Sequence, residues 1–266
     1  MTNPRPKRRL GQHFLTDPRI LARIADALEA GPGDTVLEIG PGPGGLTAAL
    51  AARAARVVAI EKDRDLVPAL RDRFPSVTVV EADALEADWH ALAGGPFLVA
   101  GNIPYNITSP LLDKALEPPR PARIVFLVQK EVADRVTAAP GTSDYGALTV
   151  GVHAVARAER LFTVPAGAFQ PRPRVESAVL RLVPLESPLV ADADRRTFRR
   201  LVVGLFGFRR KQLLRALREL TGWDPGRVGA VLAAAGLDPT ARPEAVSPGA
   251  YAGLLRVLVD GEWAPR

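Results

Sequence analysis

Glu38-Ile39-Gly40-Pro41-Gly42-Pro43-Gly44-Gly45 closes the first short apolar run of the chain, Val36–Ile39. Glycines placed directly after a buried strand let the backbone turn sharply and leave room for a ligand against the strand ends. Two ligand classes compete for this turn. Gly40, Gly42 and Gly45 match the dinucleotide spacing G-x-G-x-x-G, and Glu61 stands about where that fold places its ribose-binding acid. Against a dinucleotide, Pro41 and Pro43 remove N–H groups that a pyrophosphate would use. S-adenosylmethionine has no phosphate and loses nothing there. Glu38, Glu61 and Asp83 close three early strands, at the edge where such sheets bind ligands. Glu61 would accept both ribose hydroxyls, Asp83 would accept from the adenine amino group, and the acids together favour a cationic sulfonium.

Outward from this turn the chain alternates. Val57–Ile60, Val77–Val80, Phe97–Ala100 and Ile124–Val128 read as further buried parallel strands, separated by helical stretches near 45–53, 64–73, 109–116 and 129–138. Upstream, a helix is expected from Pro18 to Ala30, with Asp17 as N-cap and Gly31 as the stop. Downstream, strands are expected near 147–158 and 176–183, the second alternating as an antiparallel edge pair would. The fold class is therefore α/β: a Rossmann-like, mostly parallel sheet with an antiparallel edge strand, followed by a small helical domain. The expected partition is a basic arm at 1–16, a ligand-binding domain at 17–185, a linker at Pro184–Pro188 and a helical domain at 189–266. That last domain carries helices near 192–206, 209–220, 225–235 and 248–259.

Composition narrows the classes. The 266 residues include no cysteine, which excludes disulfides, thiolate zinc sites and cysteine nucleophiles. His13, His90 and His153 lie far apart and show no metal spacing, so no metal is expected. No apolar run is long enough to span a bilayer and no signal-peptide core follows the basic N-terminus, so a cytosolic protein with no membrane partner is expected. Net charge is +6 and the pI about 10.1, one sign of a nucleic-acid partner. The basic residues concentrate in Arg5, Lys7, Arg8 and Arg9 of the arm and at the start of the helical domain, including Arg209, Arg210 and Lys211.

After the fourth strand comes Asn102-Ile103-Pro104-Tyr105. An adenine amino group is a poor nucleophile because its lone pair is delocalised into the ring. Two hydrogen-bond acceptors aimed at its N–H groups pull the nitrogen toward an attacking, tetrahedral geometry. The Asn102 side-chain oxygen and the Ile103 backbone carbonyl are the expected acceptors. Pro104 sets the turn that aims them, and Tyr105 offers a face for a base taken out of its helix. Catalysis would then be positioning for direct displacement at a sulfonium methyl.

Together with Gly11-Gln12-His13-Phe14-Leu15, Gln129-Lys130-Glu131-Val132 and Phe169-Gln170-Pro171-Arg172-Pro173, these motifs resemble the ribosomal RNA adenine N6-dimethyltransferases over nearly the whole chain. The resemblance implies a class I methyltransferase sheet and S-adenosylmethionine as donor, with S-adenosylhomocysteine as product. It implies as substrate two adjacent adenines in a hairpin loop near the 3′ end of small-subunit ribosomal RNA, met within a 30S or pre-30S particle. It places cofactor contacts on His13, Leu15, Gly40, Glu61, Asp83 and Asn102, makes Phe169 a second wall for the target base, and gives the Arg209–Lys211 cluster a role in backbone binding. His13 departs from the more usual Asn. A monomer is expected. Alternatives are a large-subunit RNA methyltransferase of the macrolide-resistance type, a ribosome-assembly binding factor and a DNA adenine methyltransferase, the last disfavoured because no target-recognition domain is evident.

Overall fold

The computed structural model describes Lys7, residues 11–261 and Trp263. Most of the expected basic arm, including Arg5, Arg8 and Arg9, lies outside the described residues. Element order begins β1 (Phe14–Leu15), α1 (Pro18–Ala27), β2 (Thr35–Ile39), α2 (Gly45–Ala51), β3 (Arg56–Glu61), α3 (Val67–Arg73), β4 (Thr78–Glu81) and α4 (Trp89–Ala93). It continues β5 (Leu98–Asn102), α5 (Thr108–Ala115), β6 (Ile124–Gln129), α6 (Lys130–Val136), α7 (Ala147–His153), β7 (Ala156–Val164), β8 (Phe169–Gln170) and β9 (Ser177–Pro184). Helices α8 (Arg195–Gly207), α9 (Leu213–Thr221), α10 (Pro225–Ala234) and α11 (Pro248–Asp260) complete it.

Seven strands form one sheet in the order β4-β3-β2-β5-β6-β9-β7. The five expected parallel strands pair in parallel, and β9 runs antiparallel to β6. The alternating segment is the inner strand of that edge: β9 lies between β6 and the edge strand β7 and is buried along most of its length. The order reverses at β2, whose neighbours are β3 and β5, and such a switch point opens a crevice at the carboxyl ends of the strands. Along each strand the side chains alternate between faces. Val36, Val57, Ala59, Leu98, Ala100, Val125 and Leu127 pack on one face against Ile24, Leu46 and Leu50.

The crevice depends on close approach of β2 and β5. Gly101 pairs with Ile39, and a Cβ at Gly101 would lie 2.6 Å from the Ile39 carbonyl oxygen. Backbone cannot rotate away as a side chain can. Gly101→Ala is expected to lower stability by about 1–3 kcal/mol through overpacking, read as a drop in melting temperature; an unchanged melting temperature would show that the two strands give way freely.

Two local expectations change. Asp17 caps α1, accepting the Arg19 N–H, but the helix ends at Ala27 and the chain reverses at Glu29, in the left-handed region at φ +52°. Gly31 does not stop it. Glu29 is instead held by Arg123 and Arg181, which pair with its two carboxylate oxygens at 2.9 Å each. Second, the strand expected over 147–158 is helix α7 and then β7 from Ala156. Thr149 Oγ1 accepts the Gly146 N–H at 3.1 Å and donates to the Arg135 carbonyl, which starts a helical turn that a short apolar run does not specify.

The chain divides into two compact units. One runs through Ala133 and includes Ala158–Pro184; the other takes Asp134–Arg157 and the chain from Leu185 on. Residues 134–157, grouped by the sequence reading with the first domain, go with the second. There α7 packs on α8 and α11, and the buried Tyr145 hydroxyl donates to the Val246 carbonyl at 2.7 Å. No helix among the described residues is long and apolar enough to cross a membrane.

Candidate active site

His13, Gly40, Glu61, Asp83, Asn102, Ile103, Pro104 and Tyr105 line one cleft at the carboxyl edge of β2–β5, within the first unit. Each arrives there for a local reason. Gly40, Gly42 and Gly44 adopt φ of +67°, +56° and +85°, which L side chains avoid. Their N–H groups are all engaged within the protein: Gly40 to the Ile60 carbonyl, Gly42 to Glu61 Oε2 at 3.0 Å, Gly44 to the Pro41 carbonyl. With prolines between them, the turn has no N–H left for a phosphate from Gly40 to Gly44. That argues against a dinucleotide on this chain's own geometry.

Glu61 ends β3 and is 5% exposed. Its Oε2 holds Gly42 and its Oε1 accepts the Asp63 N–H at 2.7 Å. Burial pushes its carboxyl above the usual range. Each oxygen keeps a second lone pair, so the carboxylate is aimed by the backbone and still able to accept. Asp83 follows β4. The Lys62 ammonium bound to Asp83 Oδ2 holds its carboxyl below the usual range, and Oδ1 accepts the Leu85 N–H at 2.9 Å.

Glu38 behaves differently. Register sets it between Ala59 and Ala100, whose small side chains leave it room, on the face that packs under α2. It is 1% exposed, neither carboxyl oxygen meets a hydrogen-bond partner, and it does not line the cleft. Burial pushes its pKa up to about 8, with Glu61 nearby adding to the rise. At neutral pH it is mostly uncharged, so the cationic preference expected of three acids rests on Glu61 and Asp83.

Asn102 is the last residue of β5. Its Nδ2 donates to the His13 carbonyl at 2.8 Å, which leaves Oδ1 as the acceptor of this side chain. Ile103 is buried, and its N–H donates to the Leu127 carbonyl at 3.0 Å, anchoring the turn to β6. The Tyr105 hydroxyl shares a 2.8 Å hydrogen bond with Ser177 Oγ, and burial raises its pKa. The His13 ring stacks on Tyr105 at 5.6 Å between centroids and 23° between planes, and its Nδ1 lies 2.8 Å from the Pro171 carbonyl, to which it donates. His13 therefore joins three motifs: its carbonyl holds Asn102, its ring covers one face of Tyr105, and its Nδ1 reaches Pro171.

Leu15 and Phe169 do not line the cleft. They face each other in the antiparallel β1–β8 pair, 8% and 5% exposed, and belong to the core. Alternation turns Phe169 inward, away from the wall expected of it. Phe14 lines the cleft instead, with its ring 3.0 Å from where a Cβ on Gly42 would be. The sequence reading passed over Phe14, Lys62 and Ser177. Phe14 lies inside the Gly11–Leu15 motif, whereas nothing in the spacing singles out Lys62 or Ser177. No group of His, Asp and Glu among the described residues could hold a metal ion.

In the second unit, the basic cluster separates into three roles. Arg209 Nε binds Glu244 and its guanidinium reaches the Thr142 and Ser143 carbonyls, 2.9 Å for the latter. Lys211 pairs with Glu219 at 2.8 Å and lies over the Phe208 ring. Arg210 is exposed.

The sequence model of the family described as ribosomal RNA adenine dimethylase matches residues 3–244. A protein of Geobacter metallireducens named ribosomal RNA small subunit methyltransferase A is 44% identical, covering 96% of each chain. One of the same name from Phenylobacterium zucineum is 46% identical over 97% of this chain and 90% of its own. Among solved structures, a dimethyladenosine transferase from Plasmodium falciparum superposes with a TM-score of 0.84 at 26% identity, covering 94% of this chain and 98% of its own. The 23S rRNA methyltransferase ErmE has a TM-score of 0.73 at 34% identity, covering 92% and 99%.

Proposed function

The chain belongs to the ribosomal RNA adenine dimethylase family, and from that premise we propose that it transfers methyl groups from S-adenosylmethionine to N6 of two adjacent adenines in a hairpin loop near the 3′ end of small-subunit ribosomal RNA. The product is N6,N6-dimethyladenosine, made within a 30S or pre-30S particle. The observation that carries the reading is the Asn102 amide, whose Nδ2 is engaged by the His13 carbonyl so that Oδ1 is the acceptor.

The donor fits the residues present. The glycine turn has no free N–H for phosphate, and Glu61 and Asp83 offer carboxylates at the edges of the cleft. Glu61 would hold the ribose hydroxyls, Asp83 the adenine amino group, and Phe14 and Ile60 apolar walls. When bound, S-adenosylmethionine supplies a methyl group on a sulfonium centre. The chain supplies the rest. In the first transfer Asn102 Oδ1 and the Ile103 carbonyl accept from the two N–H groups of the target amine and localise its lone pair toward the methyl; each transfer breaks the sulfonium–methyl bond, releases S-adenosylhomocysteine and one N6 proton, and leaves the second transfer a single N–H to be held. Tyr105, braced by Ser177 and covered on one face by His13, offers its other face to the base. Rate enhancement comes from positioning and fixed dipoles.

A methyl-transfer assay with labelled donor, on unmethylated small-subunit particles and separately on protein-free large-subunit RNA, tests the reading after digestion to nucleosides. Dimethyladenosine from small-subunit particles alone is the expected result. Label only in large-subunit RNA would move the chain to the macrolide-resistance type; label in neither would leave an assembly role.

Substrate binding by the helical part has its own test. Arg210→Ala is expected to leave the melting temperature unchanged and to flatten the salt dependence of RNA binding by about 0.7–0.9 in log–log slope, one phosphate contact. Arg209→Ala is expected to lower the melting temperature, because Arg209 ties Glu244 to two backbone carbonyls. A flattened slope with Arg209→Ala at full stability would reverse these roles.

A further inference from the structure

The loop between β8 and β9, residues 171–176, reads Pro171-Arg172-Pro173-Arg174-Val175-Glu176. It is held at both ends by the residues that wall the Tyr105 side of the cleft. The Pro171 carbonyl accepts from His13, and Ser177, the next residue after the loop, bonds the Tyr105 hydroxyl at 2.8 Å. The Glu176 carbonyl also accepts the Lys130 N–H at 3.0 Å. Between these anchors Pro173 is buried, while Arg172 and Arg174 on either side of it are exposed. Neither arginine forms an ion pair or hydrogen bond among the described residues, unlike Arg123, Arg181 and Arg209. Val175 beside them is 46% exposed.

A loop tethered to a base pocket, with two guanidiniums that pair with none of the described residues set outward about a buried proline, has the form of a backbone clamp. Guanidinium forks match phosphate geometry, and phosphate contacts set register without reading sequence. We propose that Arg172 and Arg174 bind the RNA phosphates flanking the target adenine, with Val175 giving an apolar surface to the neighbouring nucleotide. This rests on the proposed RNA substrate and adds to the helical part a second contact point beside the reacting base. The loop's single acid, Glu176, sits at its far end, where Lys130 holds its backbone.

The test is an Arg172→Ala/Arg174→Ala double variant of the full chain. Binding of a labelled single-stranded RNA carrying two adjacent adenines is followed from low to high salt, and methyl transfer is followed on unmethylated small-subunit particles. The log–log salt slope is expected to become shallower by about 1.4, two single-strand phosphate contacts. KM for the particles should rise about tenfold, with kcat, donor affinity and melting temperature unchanged. Arg172→Lys/Arg174→Lys should restore the slope but only part of the KM, since lysine keeps the charge and loses the fork. An unchanged slope overturns the proposal. So does loss of particle binding with the RNA slope intact, which would make the loop a protein contact. If the wild type transfers no methyl to any RNA yet the slope still falls, the functional reading fails while the clamp stands.

Discussion

Asn102→Ala is expected to lower the rate of methyl transfer by on the order of 10²–10³-fold, the usual effect of deleting one group that meets charge developing in a transition state. Binding to unmethylated small-subunit particles should be retained, because the RNA contacts proposed for Arg172, Arg174 and Arg210 lie elsewhere in the chain. The reason for so large an effect is geometric. Without Oδ1, the Ile103 carbonyl alone accepts from the target amine, and the lone pair stays conjugated with the ring. Asn102→Asp separates two explanations. It keeps an acceptor at the same place but removes the Nδ2 donor and sets a carboxylate against the His13 carbonyl, 2.8 Å from Nδ2 in the wild type. It too is expected to fail, because the amide must be anchored as well as present. An Asn102→Ala rate within tenfold of wild type would sink the proposed role. Loss of particle binding together with activity would argue against a separable docking role.

Glu38→Gln is expected to stabilise the protein at alkaline pH and to flatten its pH–stability profile. The folded-state pKa of Glu38 is raised from 4.5 to about 8. For a carboxyl shifted upward the folded state holds a proton that the unfolded state gives up. Its favourable share of stability is therefore complete below pH 4.5, falls as pH rises toward 8, and is gone above that. A shift of this size corresponds to a ceiling of about 5 kcal/mol, at about 1.36 kcal/mol per pKa step. Glutamine has the shape of the protonated acid and no titration. The gap in melting temperature between variant and wild type should be near zero at pH 5 and widest near pH 9. Glu61, also raised by burial, leaves a residual slope of the same sign in both proteins. Melting temperatures that fall in parallel from pH 6 to pH 9 would show that Glu38 does not carry the dependence.

How much could be read from the chain alone depended on the range of the interaction involved. Short apolar runs bounded by charged residues, glycine or proline located β2 to β6 within a residue or two, because strand period and turn chemistry are local. The Asp17 cap was legible for the same reason. The end of α1 was not, because Glu29 adopts a left-handed conformation while gripped by Arg123 and Arg181, both distant in sequence. The run at 147–153 was not either, since its helical start hangs on a Thr149 bond to Arg135.

By itself the sequence determined an α/β chain with a glycine–proline turn unsuited to phosphate, acids at strand ends, and an Asn-Ile-Pro-Tyr turn suited to an exocyclic amine. Those are properties of residue type and short spacing. Only the tertiary structure decided which acids face the cleft, that Asn102 presents its oxygen, that Phe14 rather than Leu15 lines the wall, and that Phe169 turns into the core. Each of these outcomes follows from strand register or from a hydrogen bond between residues far apart in sequence. A one-residue change of register exchanges inside for outside, and pattern alone does not specify that choice where both neighbours are apolar.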